Sequence, residues 1–335
     1  MANIGDVARH LGVSRSTVSY ALSGKRPVSA ETRERVEQAI RELDFWPSAA
    51  GRALATSRSE TLALLAPMGA NASPAVALQF VDGIARASRA TGYDTLLVTG
   101  EEAFRGVDRL SRNKQVDGFL LLDVEEDDPR IDALRRSNLP SVLIGLPTDG
   151  ADLNRVDLDW TAAGAMLVDQ LAGMGHTQVC ALGAPSIAHE MRMTYAEHFQ
   201  QGVRQAAERT GVHVLELPAG SADATFRGAS AVLADHPETT AFIVQHEPAV
   251  APLMAAVTAA GRSVPDDLSI TGVTVDALDP GLVTPISGVE NPSRLVTRTA
   301  VDLLVEILDG VHLDPVTTLL QPTYVHRGTA GQAPG

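Results

Sequence analysis

The sequence predicts a small all-α unit at the N-terminus and, behind it, an α/β body of two doubly wound parallel-sheet subdomains. Three observations lead there. Apolar residues recur at helical spacing over residues 4–43, and after residue 59 short apolar runs alternate with amphipathic stretches. The runs also outnumber the strands of one compact sheet of usual size.

In the first unit Ile4, Val7, Ala8 and Leu11 make one apolar face of a short helix. Asn3 is its cap, and Asp6 sits in the first turn, where a carboxylate suits the helix dipole. Gly12-Val13-Ser14 breaks this helix. Ser14 then caps a second one from Arg15 to about Leu22, with Val18, Ala21 and Leu22 inward and Arg15, Ser16, Ser19 and Tyr20 outward. Ser23-Gly24 ends it, and Lys25-Arg26-Pro27 makes a basic loop. A third helix starts at the Ser29 cap and buries Val36, Ala39, Ile40 and Leu43. Helix, tight glycine turn, helix and supporting helix is the helix-turn-helix arrangement, whose second helix enters the DNA major groove. Spacing alone fits any small three-helix bundle equally well.

In the body, strands are expected at 61–66, 94–98, 118–122, 141–144, 178–182, 213–217, 241–245, 268–273 and 287–289. Helical stretches lie between most of them, among them 79–89, 161–173, 191–209, 249–260 and 294–308. Such alternation means parallel sheets covered on both faces. The pattern pauses at 156–160, which divides the body in two and places a cleft at the carboxyl ends of the strands.

Charge is unevenly divided. Residues 1–58 hold nine Lys and Arg against six Asp and Glu, whereas the remainder holds 18 against 35, for a net charge of −14. Only the first segment has the sign suited to a polyphosphate partner, and an acidic body resists non-specific adhesion to DNA. No run reaches the roughly 18 uninterrupted apolar residues of a membrane helix, and MANIGDVARHLGVSRS lacks the apolar stretch of a signal peptide. Cys180, the single cysteine, lies in an apolar run and reads as a core residue. Alone it makes neither an internal disulfide nor a zinc site. The expected compartment is the cytoplasm, at the nucleoid when DNA is bound, with no membrane partner.

The residues of the first unit carry more than their spacing. DVA, GVS, TVS, VSAETRERV, AI-x-EL and the P-x-A-x-x-A-L-type tail occur in order over residues 6–54. The segment closely resembles the N-terminus of the lactose-repressor (LacI/GalR) family of bacterial transcriptional regulators. The resemblance implies that Arg15 and Ser16 choose bases, with Ser19 and Tyr20 on the same face. An arginine forked onto guanine is worth on the order of 1–3 kcal/mol of discrimination. Many family members have arginine where this chain has Tyr20, so a second arginine–guanine contact is in doubt. Tyr20 is left to a thymine methyl or a phosphate. Ser14, Thr17, Ser29 and Thr32 match phosphate-contact positions and serve equally as helix caps. Ile4, Ser48 and Gly51 complete the implied DNA-binding set. Residues 47–56 are short and Ala-rich, marginal as an isolated helix. In the family this hinge orders over the operator's minor groove, where a leucine wedges between central base pairs. Leu54 holds that place, although a linker leucine packed on the body is the alternative.

The resemblance continues through VDGFLLLD, VDLDW-x-x-AG, GH-x-x-x-x-x-LG, GRSVPDDLSITG and P-I-S-G-V-x-N-P. These look like the type I periplasmic-binding-protein-like body of the same regulators, in which the chain crosses between subdomains three times. By analogy the chain divides into a DNA-binding domain (1–46), a hinge helix and linker (47–59) and a ligand-binding and dimerisation domain (60–327). Its subdomains are about 61–158 plus 290–317, and 159–289 plus 318–327. The closing GTAGQAPG (328–335) reads as a disordered tail.

The cleft departs from the family's sugar-sensing pattern. His246-Glu247 stands where an Asn-Asp pair is common, Thr274 and Val275 where paired aspartates are, and Gly145 where an aspartate is frequent. Register puts Met191 at the usual pocket arginine, with Arg192 one residue off, and Gly220 at the stacking aromatic. With 4% aromatic residues there are few stacking platforms to spare. The expected effector is a small polar molecule, sugar or sugar-like, held by residues among Gly145, Asp159, Met191, Arg192, His246, Glu247 and Thr274. Each of these fits a solvated loop position equally well.

No leucine heptads follow the body, so a two-fold homodimer on a pseudo-palindromic double-stranded DNA operator is expected. GxGxxG, Walker A and GxSxG patterns are absent and the nine histidines have no metal-ligand spacing. Neither an enzyme, a metal nor a cofactor is called for. A sugar-binding receptor without a DNA role would explain the body but not the helix-turn-helix.

Overall fold

The computed structural model describes residues 3–23, 27–43, 58–68, 73–275, 285–311 and 314–335. The expected hinge, with Ser48, Gly51 and Leu54, lies outside these residues.

The first unit is three helices, α1 (Ile4–Leu11), α2 (Arg15–Ser23) and α3 (Ala30–Glu42). Asn3 closes a full capping box with Asp6, and Gly12 ends α1 with a left-handed φ of 65°. A residue there must adopt that conformation for the chain to turn into α2, which glycine does without steric cost. Val7, Ala8, Val18, Val36 and Ala39 form a dry centre, with Ile4, Leu11, Val13, Ala21, Ile40 and Leu43 packed around it.

The body holds twelve strands among the described residues, in two six-stranded sheets. Sheet one runs β11-β5-β4-β3-β1-β2, from β1 (Thr61–Leu65), β2 (Asp94–Val98), β3 (Gly118–Leu121), β4 (Ser141–Ile144), β5 (Asn154–Leu158) and β11 (Thr317–Leu320). Sheet two runs β12-β10-β9-β8-β6-β7, from β6 (Gln178–Pro185), β7 (His213–Ala219), β8 (Ala241–Val244), β9 (Ser269–Val275), β10 (Ser287–Asn291) and β12 (Tyr324–Val325). All pairings are parallel except β10 with β12. In β3, β4 and β8 every residue is buried, as helices on both faces require. Helices α4 (Pro74–Ala90) and α12 (Ser293–Leu308) cover one face of sheet one, and α5 (Glu102–Arg112) and α6 (Arg130–Ser137) the other. Sheet two is flanked by α7 (Trp160–Gly173) and α9 (Thr194–Thr210) on one face, and α10 (Ala222–Asp235) and α11 (Val250–Ala259) on the other. A short helix, α8 (Ser186–Glu190), precedes α9. Cys180 is fully buried in sheet two, where burial pushes its thiol up to about 12.

Three features depart from expectation. The pause at 156–160 overlaps β5, an interior strand between β4 and the edge strand β11. Its polar side chains hid it. Asn154 accepts from the Val316 N–H at 3.1 Å and Arg155 bonds Thr317 across the β5–β11 pair, so these residues are satisfied within the sheet. The last crossing falls after Leu320 rather than at 317, because all of β11 pairs with Arg155–Leu158, and β10 stays in sheet two as far as Asn291. The segment 328–335 lies against sheet two. Thr329 exchanges hydrogen bonds with Ile270, the Gly331 N–H donates to Ser269 Oγ and the Ala333 N–H to the Met174 carbonyl. Composition misreads this tail because backbone groups and the Thr329 hydroxyl, rather than large apolar side chains, hold it.

Candidate functional site

The head presents α2 outward. Arg15 and Ser16 are exposed, Ser19 and Tyr20 half-buried. Ser14 Oγ accepts from the Thr17 N–H at 3.1 Å and Ser29 Oγ from the Thr32 N–H at 3.2 Å, so both serines cap their helices. Ile4 is half-buried against the helical core. Gly5 contributes something that spacing does not show. A Cβ there would lie 2.7 Å from the Arg15 guanidinium, so glycine lets that side chain lie close against α1, and a larger residue would move its tip.

The body forms a cleft of about 810 Å³, open to solvent, where the carboxyl ends of both sheets meet. From sheet one come Leu122, Asp123 and Val124 after β3, Ile144 on β4 and Asp157 on β5. Sheet two supplies Gln245, His246 and Glu247 after β8, Val273 on β9 and Asn291 on β10. Phe80, Trp160 and Tyr195 add three aromatic rings, the last two 5.9 Å apart and tilted. Two crossings between the sheets, at 158–160 and 291–293, enter the cleft wall directly. Of the expected effector residues, only His246 and Glu247 line it.

The others are placed elsewhere for identifiable reasons. Asp159 caps α7 through the Ala162 N–H at 2.8 Å. Met191 ends α8 and packs on its small core. Arg192 has a left-handed φ of 52°, which aims it at Asp127 of the facing subdomain. Thr274 Oγ1 donates to the Val289 carbonyl. Gly145 sits just behind the wall, where a Cβ would be 2.7 Å from Val124 Cβ, so an aspartate at this position has no room. The expected shortage of aromatic platforms is also overturned, since folding gathers three of these few residues at one site.

Sequence reasoning missed Asp123, Asp157, Trp160, Tyr195, Gln245 and Asn291. Asp123 closes VDGFLLLD, Asp157 and Trp160 belong to VDLDW, and Asn291 ends P-I-S-G-V-x-N. The motifs carried these positions; only the sheet crossings show that they converge.

Low-dielectric walls govern the cleft's charges. Burial raises Asp123, with Arg130 partly opposing, and raises Glu247; it lowers His246. Asp157 is pushed up to about 7 by burial, although Oδ1 accepts from the Leu158 N–H (2.8 Å) and Trp160 Nε1–H (3.0 Å). Its folded value exceeds its unfolded one, so its contribution to stability is full below the unfolded value and is lost as pH rises through about 7. Asp157→Asn keeps both acceptor bonds and cannot ionise. The melting temperature of this variant should therefore gain on that of the parent between about pH 5 and about pH 8. A difference independent of pH would remove the assignment.

Beside the cleft the subdomains are latched. Glu125 and Met193 form an antiparallel bridge, the Thr194 N–H donates to the Val124 carbonyl (3.0 Å) and the Glu126 N–H to the Arg192 carbonyl (2.9 Å). Glu126 also accepts from Thr148 Oγ1 at 2.6 Å and pairs with His198 at 3.1 Å.

Comparison with known proteins agrees with both halves. A family model described as bacterial regulatory proteins, lacI family, matches residues 3–48, and one described as a periplasmic binding protein-like domain matches residues 168–330. The HTH-type transcriptional regulator CelR of Thermobifida fusca is 28% identical over 328 residues, spanning 94% of each chain. The ribose operon repressor of Escherichia coli strain K12 is 28% identical over 342 residues, spanning 98% of this chain and all of its own. A solved CelR–cellobiose complex is 26% identical, covers 98% of this chain and 100% of its own, and superposes with a TM-score of 0.69. No described helix is long and apolar enough to cross a membrane. The chain thus carries a lacI-family helix-turn-helix domain followed by a periplasmic-binding-protein-like domain, and its relatives along the whole length are transcriptional regulators.

Proposed function

We propose that this regulator binds a pseudo-palindromic operator as a homodimer and that a small polar effector in the cleft sets its DNA affinity. The observation that carries the coupling is β3. Asp117, just before this strand, holds the start of the body: it accepts from the Ser59 N–H at 2.7 Å and the Glu60 N–H at 2.8 Å. Arg58 is tied nearby to Asp309 at 3.0 Å. The opposite end of β3 runs into Asp123 in the cleft wall. One rigid strand thus joins the linker's anchor to the effector site. A ligand shifts DNA affinity only if it prefers one arrangement of the two sheets, and β3 carries that preference toward residues 47–57 and Leu54. The relatives' names, a ribose operon repressor and a regulator solved with cellobiose, support a sugar-like class of ligand. Leu78, Leu96 and Leu97 are exposed on α4 and the edge strand β2, an apolar face suited to a second copy. The cytoplasm is the compartment this role requires.

Removing residues 1–58 tests the reading: DNA binding should vanish while ligand binding to the body persists. Ligand binding lost with the head would count against it. Within the head, Arg15→Ala should weaken binding to the cognate operator by about 1–3 kcal/mol and flatten preference at one base pair. Mobility-shift titrations against single-base operator variants check this. A uniform loss across all variants would make Arg15 a phosphate contact instead.

A further inference from the structure

The cleft has a one-sided chemistry. Three carboxylates, Asp123, Asp157 and Glu247, line it, and among the described lining residues there is no Lys or Arg. Residues 69–72 and 276–284, outside the described structure, contain none either. Arg130 lies behind Asp123, but its charge is matched by Asp128 in a pair with both side chains fully buried. The hydrogen-bond inventory leans the same way. Asp123 Oδ2, Gln245 Oε1 and Asn291 Oδ1 are buried without a partner, and all three residues line this cleft. Gln245 and Asn291 are only 8% and 5% exposed. Buried acceptors left open are costly, so the site is completed by a molecule that brings donors and positive charge. An ammonium group offers three N–H donors and no acceptor, and aromatic faces such as Phe80, Trp160 and Tyr195 attract cations.

We propose that the effector is a small organic amine, bound as its ammonium ion among these carboxylates, rather than a neutral or phosphorylated sugar. This rests on the cleft being the effector site and adds the ligand's charge. Phosphorylated and acidic ligands are disfavoured, because no Lys or Arg is among the described lining residues and burial holds His246 toward its neutral form. A hydroxylated amine such as an aminosugar meets both the ammonium requirement and the remaining polar wall.

The test uses the full-length protein and two matched sets: glucosamine, glucose and a glucose phosphate; and putrescine, butanediol and succinate. Thermal shift identifies binders and calorimetry measures them. At least one amine should bind about tenfold or more tightly than its neutral counterpart, the anions should not bind, and Asp123→Asn and Glu247→Gln should each weaken the amine by about tenfold. Both variants are close in shape to the parent residues, and their melting curves verify folding. No binding by either amine, or a neutral or anionic member binding as tightly as its amine, overturns the proposal. The two readings fail separately. A neutral sugar weakened by Trp160→Ala keeps the cleft and removes the amine. An amine unaffected by Asp123→Asn, Glu247→Gln and Trp160→Ala binds elsewhere and removes both.

Discussion

Arg130→Ala should destabilise the body by about 3–5 kcal/mol, the range for breaking a buried ion pair from one side. Arg130 and Asp128 are fully buried, and the guanidinium bonds Asp128 through Nε and Nη2 at 2.6–3.2 Å. It also donates to the carbonyls of Leu65 (3.3 Å), Leu122 (3.0 Å) and Asp123 (2.7 Å), while stacking 5.2 Å from the Phe104 ring. The Leu122 and Asp123 carbonyls follow the carboxyl end of β3, and the Leu65 carbonyl, at the end of β1, accepts from the Leu122 N–H (3.0 Å) as well as from Arg130. Truncation strands a buried carboxylate and withdraws a donor from all three carbonyls, of which, among the described residues, Leu65 alone keeps another. Lysine should not rescue, since a single ammonium cannot span a fork of this geometry. Arg130→Met combined with Asp128→Asn should recover part of the loss by removing the uncompensated charge. Urea titrations of Arg130→Ala, Arg130→Lys, Arg130→Met and the double variant decide it. If Arg130→Met alone is as stable as the double variant, the ion pair is not what holds this corner. Because Asp123 faces the cleft, Arg130→Ala should also weaken effector binding.

Gly202→Ala should be of similar size, about 3 kcal/mol or more. Where α7 crosses α9, a Cβ at Gly202 would stand 1.9 Å from the Thr161 carbonyl oxygen, and one at Gly164 would stand 2.3 Å from that of Phe199. Both obstacles are backbone, which cannot rotate aside, so the helices must separate. Overpacking of a tight core costs about 1–3 kcal/mol when side chains can adjust, and more when they cannot. These helices begin with Trp160 and with Thr194 and Tyr195, all cleft residues. The variant should therefore lose effector affinity along with stability, whereas operator binding by the head at low temperature should be spared. Unchanged denaturation midpoints would mean that the helices cross less tightly than described.

The head was legible because its determinants are local. The spacing of Val7, Ala8, Val18, Val36 and Ala39, the caps at Asn3, Ser14 and Ser29, and the left-handed turn at Gly12 each act within a few residues of their position. The alternation of strands and helices in the body was readable for the same reason, as apolar runs such as Phe119–Leu121 declare a doubly covered strand wherever they occur. Strand β5 escaped because its polarity answers to β11, some 160 residues away in the chain.

What the sequence by itself determined, then, is the order of the units, the outward face of α2 with Arg15 and Ser16, and a cleft at the strands' carboxyl ends. Only the tertiary structure decided which residues that cleft contains. Asp123, Asp157, Gln245 and Asn291 come from two sheets, and Arg192, a neighbour in sequence to the cleft's Thr194, is turned away to Asp127. The physical reason is that helix and strand periodicity arise from nearest neighbours along the chain, whereas a binding site arises from crossings between sheets. There a one-residue step carries a side chain into the cleft or out of it.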